Sequence, residues 1–110
     1  MKSTRRAALA ALVAFGLAFL ISPVASFADE GGALFKTKCA ACHGADGKGE
    51  TPVGKASKLR DLGSEDVQKQ SDSELTTIVS NGKNKMPAYG KSLKPEQIKD
   101  LVAFVRSLKK

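Results

Sequence analysis

Five consecutive residues, Cys39-Ala40-Ala41-Cys42-His43, place two thiols and an imidazole at a spacing that suits one chemistry above others. Thiols at i and i+3 on a helical turn project from one face. Each can add to one vinyl group of the same porphyrin, which gives two thioethers. The next residue then lies beneath the metal and offers a ring nitrogen, a good iron ligand when neutral. This is the C-x-x-C-H pattern of covalent haem attachment. His43 is the single histidine of the sequence, so the proximal position has no competing candidate. Two rival chemistries also use such a dithiol. A thioredoxin-like redox pair expects a βαβ pattern, which is missing here. A structural zinc site wants four Cys or His ligands, and this chain offers only Cys39, Cys42 and His43. A Cys39–Cys42 disulfide would close so short a loop that it would constrain little of the unfolded chain.

The opposite face of such an iron decides between electron transfer and ligand binding. Met86 is the only methionine besides Met1 and precedes Pro87 in a loop rich in Gly, Lys and Asn. It has two readings, a gap-filling side chain at the domain edge or a thioether donor to iron. The donor reading closes the iron to O₂ and peroxide and raises its potential relative to two imidazoles. An open or labile sixth position would instead point to a small peroxidase or a gas-binding sensor.

The elements that must position these groups are helical. A first helix is expected from about Glu30 to Ala41, with Gly31, Phe35 and Cys39 on one face. A Gly- and Lys-rich loop, Gly44 to about Lys58, follows, and Leu59, Leu62 and Val67 fall in one or two short turns. A second helix is expected over Asp72 to Asn81. Ser71 and Glu74 form its capping box, Leu75, Ile78 and Val79 its apolar stripe, and Gly82 its stop. The loop Lys83 to Lys94 carries Met86. A third helix starts near Pro95, a residue suited to a first helical position, and Ile98, Leu101, Val102, Val105 and Leu108 give its apolar face with Phe104 at the edge. No strand-length alternation is present, so the expected class is all-α.

The chain has 110 residues, enough for one domain. Its first 28 residues read as a secretory signal peptide. Lys2, Arg5 and Arg6 are the positive region, Ala7 to Ile21 is an uncharged apolar run, and Ser26-Phe27-Ala28 supplies small residues around the cleavage point. The run is shorter than the roughly 20 residues of a membrane span. The expected domains are therefore 1–28, a signal peptide, and 29–110, the mature protein in the periplasm, a photosynthetic lumen or another exported compartment. The mature part keeps Phe35, Tyr89 and Phe104 as its only aromatics. A domain so small and poor in aromatics benefits from a large apolar cofactor at its centre.

Three further motifs carry a resemblance. Gly31-x-x-x-Phe35-x-x-x-Cys39-x-x-Cys42-His43, then Asn81-Gly82-Lys83 leading to Lys85-Met86-Pro87-Ala88-Tyr89, and Leu101-x-x-Phe104 together resemble the class I c-type cytochromes, in particular the small soluble bacterial and photosynthetic carriers. The resemblance covers nearly all of Asp29 to Lys110. It implies the cytochrome c fold, three main helices wrapped around one covalent haem c. It implies that Gly31 and Phe35 meet Leu101 and Phe104 where the first and last helices cross. It also implies His43 and Met86 as axial iron ligands, with Cys39 and Cys42 as the thioether tethers. Members often rest the proximal imidazole on a carbonyl, commonly a proline's, shortly after the motif, and Pro52 is the nearest candidate. Tyr89 is expected to pack on the haem, bond a propionate or shield the pocket.

The implied function is one-electron shuttling between exported or membrane-bound redox complexes, by a monomer that transforms no substrate. A variant of it is the electron-input subunit of a single oxidoreductase complex. The net charge of the sequence is +7. Lys36, Lys38, Lys48, Lys55, Lys58, Lys83, Lys85 and Lys91 lie in the first helix and in the two loops expected to border the haem. They are either solvated surface charges or a basic rim that docks an acidic redox partner. Nucleic acid is not an expected partner, because no aromatic-interleaved basic stripe is present.

Overall fold

The computed structural model describes residues 27–110 and Gly16. The signal peptide expected at 1–28 lies outside the described residues, apart from Gly16, Phe27 and Ala28. Six helices follow one another: α1 (Phe27–Lys38), α2 (Ala40–His43), α3 (Pro52–Ala56), α4 (Glu65–Gln68), α5 (Asp72–Asn81) and α6 (Pro95–Ser107). Among the described residues there is no strand, only an isolated bridge between Lys83 and Met86. None of the described helices is long and apolar enough to cross a membrane.

The frame is the crossing of α1 with α6. A Cβ placed on Gly31 would lie 1.9 Å from the carbonyl oxygen of Asp100 and 3.1 Å from the amide nitrogen of Leu101. Only a residue without a side chain lets the two backbones approach so closely. One turn on, the Phe35 and Phe104 rings pack tilted with centroids 4.8 Å apart. Phe35 joins Leu93, Ile98 and Leu101 in the main buried cluster. A second cluster, Val67, Leu75 and Val102, ties α4 and α5 to the same helix. The crossing thus has the expected partners, with one refinement. Phe104 covers Gly32, and Gly31 faces the backbone at Asp100 and Leu101.

α5 and α6 begin where the sequence places them. The Ser71 side chain accepts from the Glu74 amide at 3.0 Å, and the Glu74 carboxylate accepts from the Ser71 amide at 2.9 Å. Gly82 ends α5 at φ 74°. Pro95 opens α6.

Two local expectations differ. The first helix does not run unbroken to Ala41. It turns at Cys39, where the Cys42 amide donates to the Cys39 carbonyl at 3.2 Å rather than one residue further back. The carbonyl skipped in this way, that of Lys38, accepts from the Tyr89 hydroxyl at 3.2 Å. A side chain inserted into the ladder is a sufficient cause for a bend. The Gly44–Lys58 loop also contains a helix, α3. Thr51 caps it by accepting from the Gly54 amide at 2.9 Å, and Pro52 takes the first helical position.

The end of the chain is tied back to the turn before α4. Lys110 Nζ lies 2.6 Å from Asp61 Oδ2, and the Gly63 amide donates to Asp61 Oδ1 at 2.8 Å. The Lys110 ammonium first, then the Gly63 amide, hold the Asp61 carboxyl below its usual value. A carboxyl depressed on folding stabilises the fold above its unfolded pKa and loses that contribution as pH falls through the folded one. Asp61→Asn should therefore lower the denaturation midpoint at neutral pH. The gap to the wild type should close as pH drops below about 4, the usual carboxylate range. A gap unchanged in acid would mean that the Asp61 charge is not what matters.

Candidate functional site

Cys39, His43 and Met86 line one cavity of about 540 Å³, within the range of cofactor pockets. Its walls are the apolar faces of the helices just described, including Phe35, Leu62, Val67, Leu75, Leu101 and Val102. A smaller adjoining cavity of about 70 Å³ shares Cys39, His43 and Met86 and adds Cys42, Lys38, Val53, Pro87 and Tyr89. The two cysteines are free thiols, both half-buried. All four residues singled out in the sequence are thus brought together around adjoining spaces.

The segment Cys39–His43 is pinned from below. The His43 amide donates to the Cys39 carbonyl at 3.0 Å, and the Gly49 amide donates to the His43 carbonyl at 2.7 Å. The Thr51 hydroxyl donates to the Cys42 carbonyl at 2.6 Å. Gly54 sits against the same backbone, since a Cβ there would lie 2.2 Å from the Gly49 carbonyl oxygen and 2.8 Å from that of Cys42. Thr51 was not singled out in the sequence, although Thr51-Pro52 is an N-cap followed by a first-turn proline. Thr51→Val removes both its bonds and should cost about 1–2 kcal/mol, with Thr51→Ser recovering most of the loss. Chemical denaturation of the three proteins checks this, and a valine variant of wild-type stability would contradict it.

Met86 is held by its own turn. Its amide donates to the Lys83 carbonyl at 2.9 Å, and its carbonyl accepts from the Lys83 amide at 3.2 Å. The Tyr89 and Gly90 amides then donate to the Val79 and Ser80 carbonyls at 2.9 and 3.0 Å, which stitches the loop to the end of α5. Tyr89 closes the frame by its bond to Lys38, so its hydroxyl serves the backbone of the opposite segment.

The donor chemistry fits a haem. Burial lowers the His43 pKa, which favours the neutral imidazole that binds metal. The Nδ1 atom of His43 is buried with no hydrogen-bond partner. The expected support from a proline carbonyl is therefore not made: Pro52 is committed to the first turn of α3, and Thr51 is the residue that reaches back to the motif. Burial first, and repulsion from Cys42 second, push the Cys39 thiol up to about 11. Met86 contributes a soft, half-buried thioether.

Of the eight lysines, Lys38, Lys58, Lys83 and Lys85 border the cavities. Lys36, Lys48, Lys55 and Lys91 are exposed elsewhere. Arg60 and Gln70 also line the large cavity; no motif in the sequence marks either.

A family model described as "Cytochrome C oxidase, cbb3-type, subunit III" matches residues 26–105. Cytochrome c6 of Gloeothece citriformis is 35% identical over 108 residues, covering 96% of this chain and 93% of its own. The chain belongs to the c-type cytochromes. This cytochrome is an electron carrier with a covalently bound haem c, and it exchanges electrons with redox partners. It is also similar to a cbb3-type cytochrome c oxidase subunit, CcoP of Rubrivivax gelatinosus, at 44% identity over 71 residues, which cover 64% of this chain and 22% of that one. Among solved structures, the KustC0563 c-type cytochrome shares the cytochrome c fold at a TM-score of 0.68 and 33% identity. That match covers 73% of this chain and 98% of the other.

Proposed function

We propose that the protein is a soluble, exported, monomeric one-electron shuttle whose haem is tethered by Cys39 and Cys42 and ligated by His43 and Met86. The observation that carries this reading is the convergence of Cys39, His43 and Met86 on a single apolar-walled cavity. The haem iron supplies the redox chemistry by alternating between the ferrous and ferric states. His43 would give the neutral nitrogen donor, and Met86 would give a thioether that favours the reduced metal and closes the sixth position. With that position closed, no substrate has access to the iron, and the protein is not an enzyme. The apolar walls exclude water, and the paired attachment of both ligand segments to the rest of the fold keeps their separation fixed between redox states.

Lys38, Lys58, Lys83 and Lys85 form a basic rim around the opening, suited to an acidic docking face on the partner. Such encounters are small and weak, and charge acts mainly on orientation and on-rate. Residues 1–28 serve as the export signal. Of the two described residues that adjoin the cleavage point on that side, Phe27 is 62% exposed and Ala28 is half-buried, and neither belongs to a core cluster. The compartment is then periplasm or lumen.

A second reading has its own support. Both the matching family description and one relative are named as cbb3-type oxidase subunits, so the domain also suits the electron-input subunit of one such complex. Stable co-purification with a membrane oxidase would favour it over a free carrier.

The test is an optical spectrum of the mature protein, matured with its haem, in both redox states with and without carbon monoxide. The expected wild type shows a weak ferric sulfur-to-iron band and no carbon monoxide binding. Met86→Ala should lose the band and bind carbon monoxide. Rapid binding by the wild type, or a Met86→Ala spectrum like the wild type's, would leave a peroxidase or gas sensor as the better reading.

A further inference from the structure

The ligation proposed above needs two segments to stay together, and each is braced within itself. On the motif side, the Cys39 amide donates to the Phe35 carbonyl at 2.8 Å, which fixes Lys38 and Cys39 to the end of α1. On the methionine side, the turn rests on Gly82. A Cβ there would lie 2.6 Å from the Met86 carbonyl oxygen and 3.0 Å from the Ala88 amide nitrogen. Pro87 and Ala88 alone separate Met86 from Tyr89, and the proline ring fixes its own φ. The Tyr89 amide donates to the Val79 carbonyl at 2.9 Å, and its carbonyl accepts from the Leu93 amide at 2.9 Å. The stretch from Met86 to Tyr89 is therefore one stiff piece.

Among the described residues, the hydrogen bond that joins the two pieces runs from the Tyr89 hydroxyl to the Lys38 carbonyl, at 3.2 Å. Its acceptor immediately precedes Cys39. Tyr89 also lines the smaller cavity together with Lys38, Cys39, His43 and Met86. It is the one tyrosine of the sequence, and a phenylalanine would fill the same space without the donor. The bond is exposed, so water can serve either group once it breaks. Its effect therefore lies less in the stability of the fold than in what it connects. We propose that the Tyr89 hydroxyl is a clasp that must open before Met86 can leave the iron.

Departure of Met86 requires its turn to swing away from the Cys39–His43 segment. Because Met86 and Tyr89 move together, that swing breaks the bond to Lys38. The closed form is thus favoured over the open one by the net contribution of one hydrogen bond. Tyr89 is a positioning residue in this scheme and touches no reacting atom. The inference rests on Met86 as iron ligand, and the experiment separates the two. Imidazole is titrated into the ferric haem-loaded protein, and displacement of Met86 is followed as loss of the sulfur-to-iron band. Tyr89→Phe is compared with the wild type and with Ser92→Ala, whose hydroxyl donates at 3.4 Å to the Tyr89 carbonyl within the same loop. The Tyr89→Phe change is then repeated in Met86→Ala, where no thioether is left to displace.

Tyr89→Phe should bind imidazole about fivefold more tightly than the wild type, the effect of one ordinary hydrogen bond on an equilibrium. Ser92→Ala should stay within about twofold, since its bond is long. In the Met86→Ala background, Tyr89→Phe should also change the affinity by less than about twofold, because the coupling partner is gone. An effect of equal size with and without Met86 would mean that Tyr89 guards the entry path or touches the haem itself, and would overturn the clasp. A Tyr89→Phe affinity equal to that of the wild type would overturn it too. Both results leave the ligation standing while the sulfur-to-iron band is present. A wild type that lacks the band and binds imidazole as Met86→Ala does would overturn ligation and clasp together.

Discussion

Gly31→Ala should destabilise the folded domain by about 3 kcal/mol, the upper end of what overpacking a close interface costs. The obstacle is backbone. The new methyl group would sit 1.9 Å from the Asp100 carbonyl oxygen, and no rotamer change relieves that overlap, so the helices must separate. Separation would loosen the Phe35–Phe104 contact and the cluster around Leu101. The neighbouring Gly32→Ala is the control. There the added carbon meets the edge of the Phe104 ring at 3.2 Å, and a ring can tilt. Alanine also gains up to about 1 kcal/mol over glycine within a helix, so Gly32→Ala should change stability by less than about 1 kcal/mol. Denaturant midpoints of the three haem proteins decide the matter. Equal stability of the two variants would mean that the crossing is looser than described.

Arg106 should be the other costly position. Its guanidinium leaves α6 and gathers the chain between α4 and α5. It donates to the Gln68 carbonyl at 2.8 Å, to the Gln70 carbonyl, and to Asp72 Oδ1 at 2.8 Å. Gln68 works beside it, with its side-chain amide donating to the Leu62 and Val105 carbonyls, both at 2.8 Å. Leu62, Val67, Gln70 and Val105 all line the large cavity, so this polar knot holds one of its walls from behind. Arg106→Met keeps the aliphatic stem and removes the donors. Two partly buried carbonyls lose their partners, and the expected cost is about 2–3 kcal/mol. Asp72→Asn tests the ion pair alone. The Asp72 side chain is 75% exposed, and exposed pairs contribute under about 1 kcal/mol. If both variants lost the same small amount, Arg106 would be a surface salt bridge and nothing more.

Neither Arg106 nor Gln68 stands out in the sequence, because a hydrogen-bond hub that gathers remote carbonyls leaves no local pattern. What was legible was periodic or chemically rare. The capping box at Ser71 and Glu74, the stripe of α6 and the Gly31–Phe35 face all repeat at helical spacing, and each occupies its expected place. Cys39, Cys42, His43 and Met86 stood out because so few residues of their kinds exist in the chain. The bend at Cys39 was not legible, since it depends on a hydroxyl arriving from Tyr89, far along the sequence. α3 is hidden by glycine-rich surroundings that read as a loop, although Thr51-Pro52 carries its start.

The pairing of α1 with α6 sets an order of events in time. The motif, the short helices and the Met86 turn all lie between the two helices that close the main core. A chain emerging amino-terminus first cannot complete that core until α6 is out, and joining such distant segments is entropically the slow part of folding. During that interval Cys39, Cys42 and His43 belong to a segment not yet enclosed. On the attachment proposed above, the machinery that installs the haem would meet an accessible pentapeptide rather than a finished pocket, and the closing of the last helix onto the first would then seal the cofactor in.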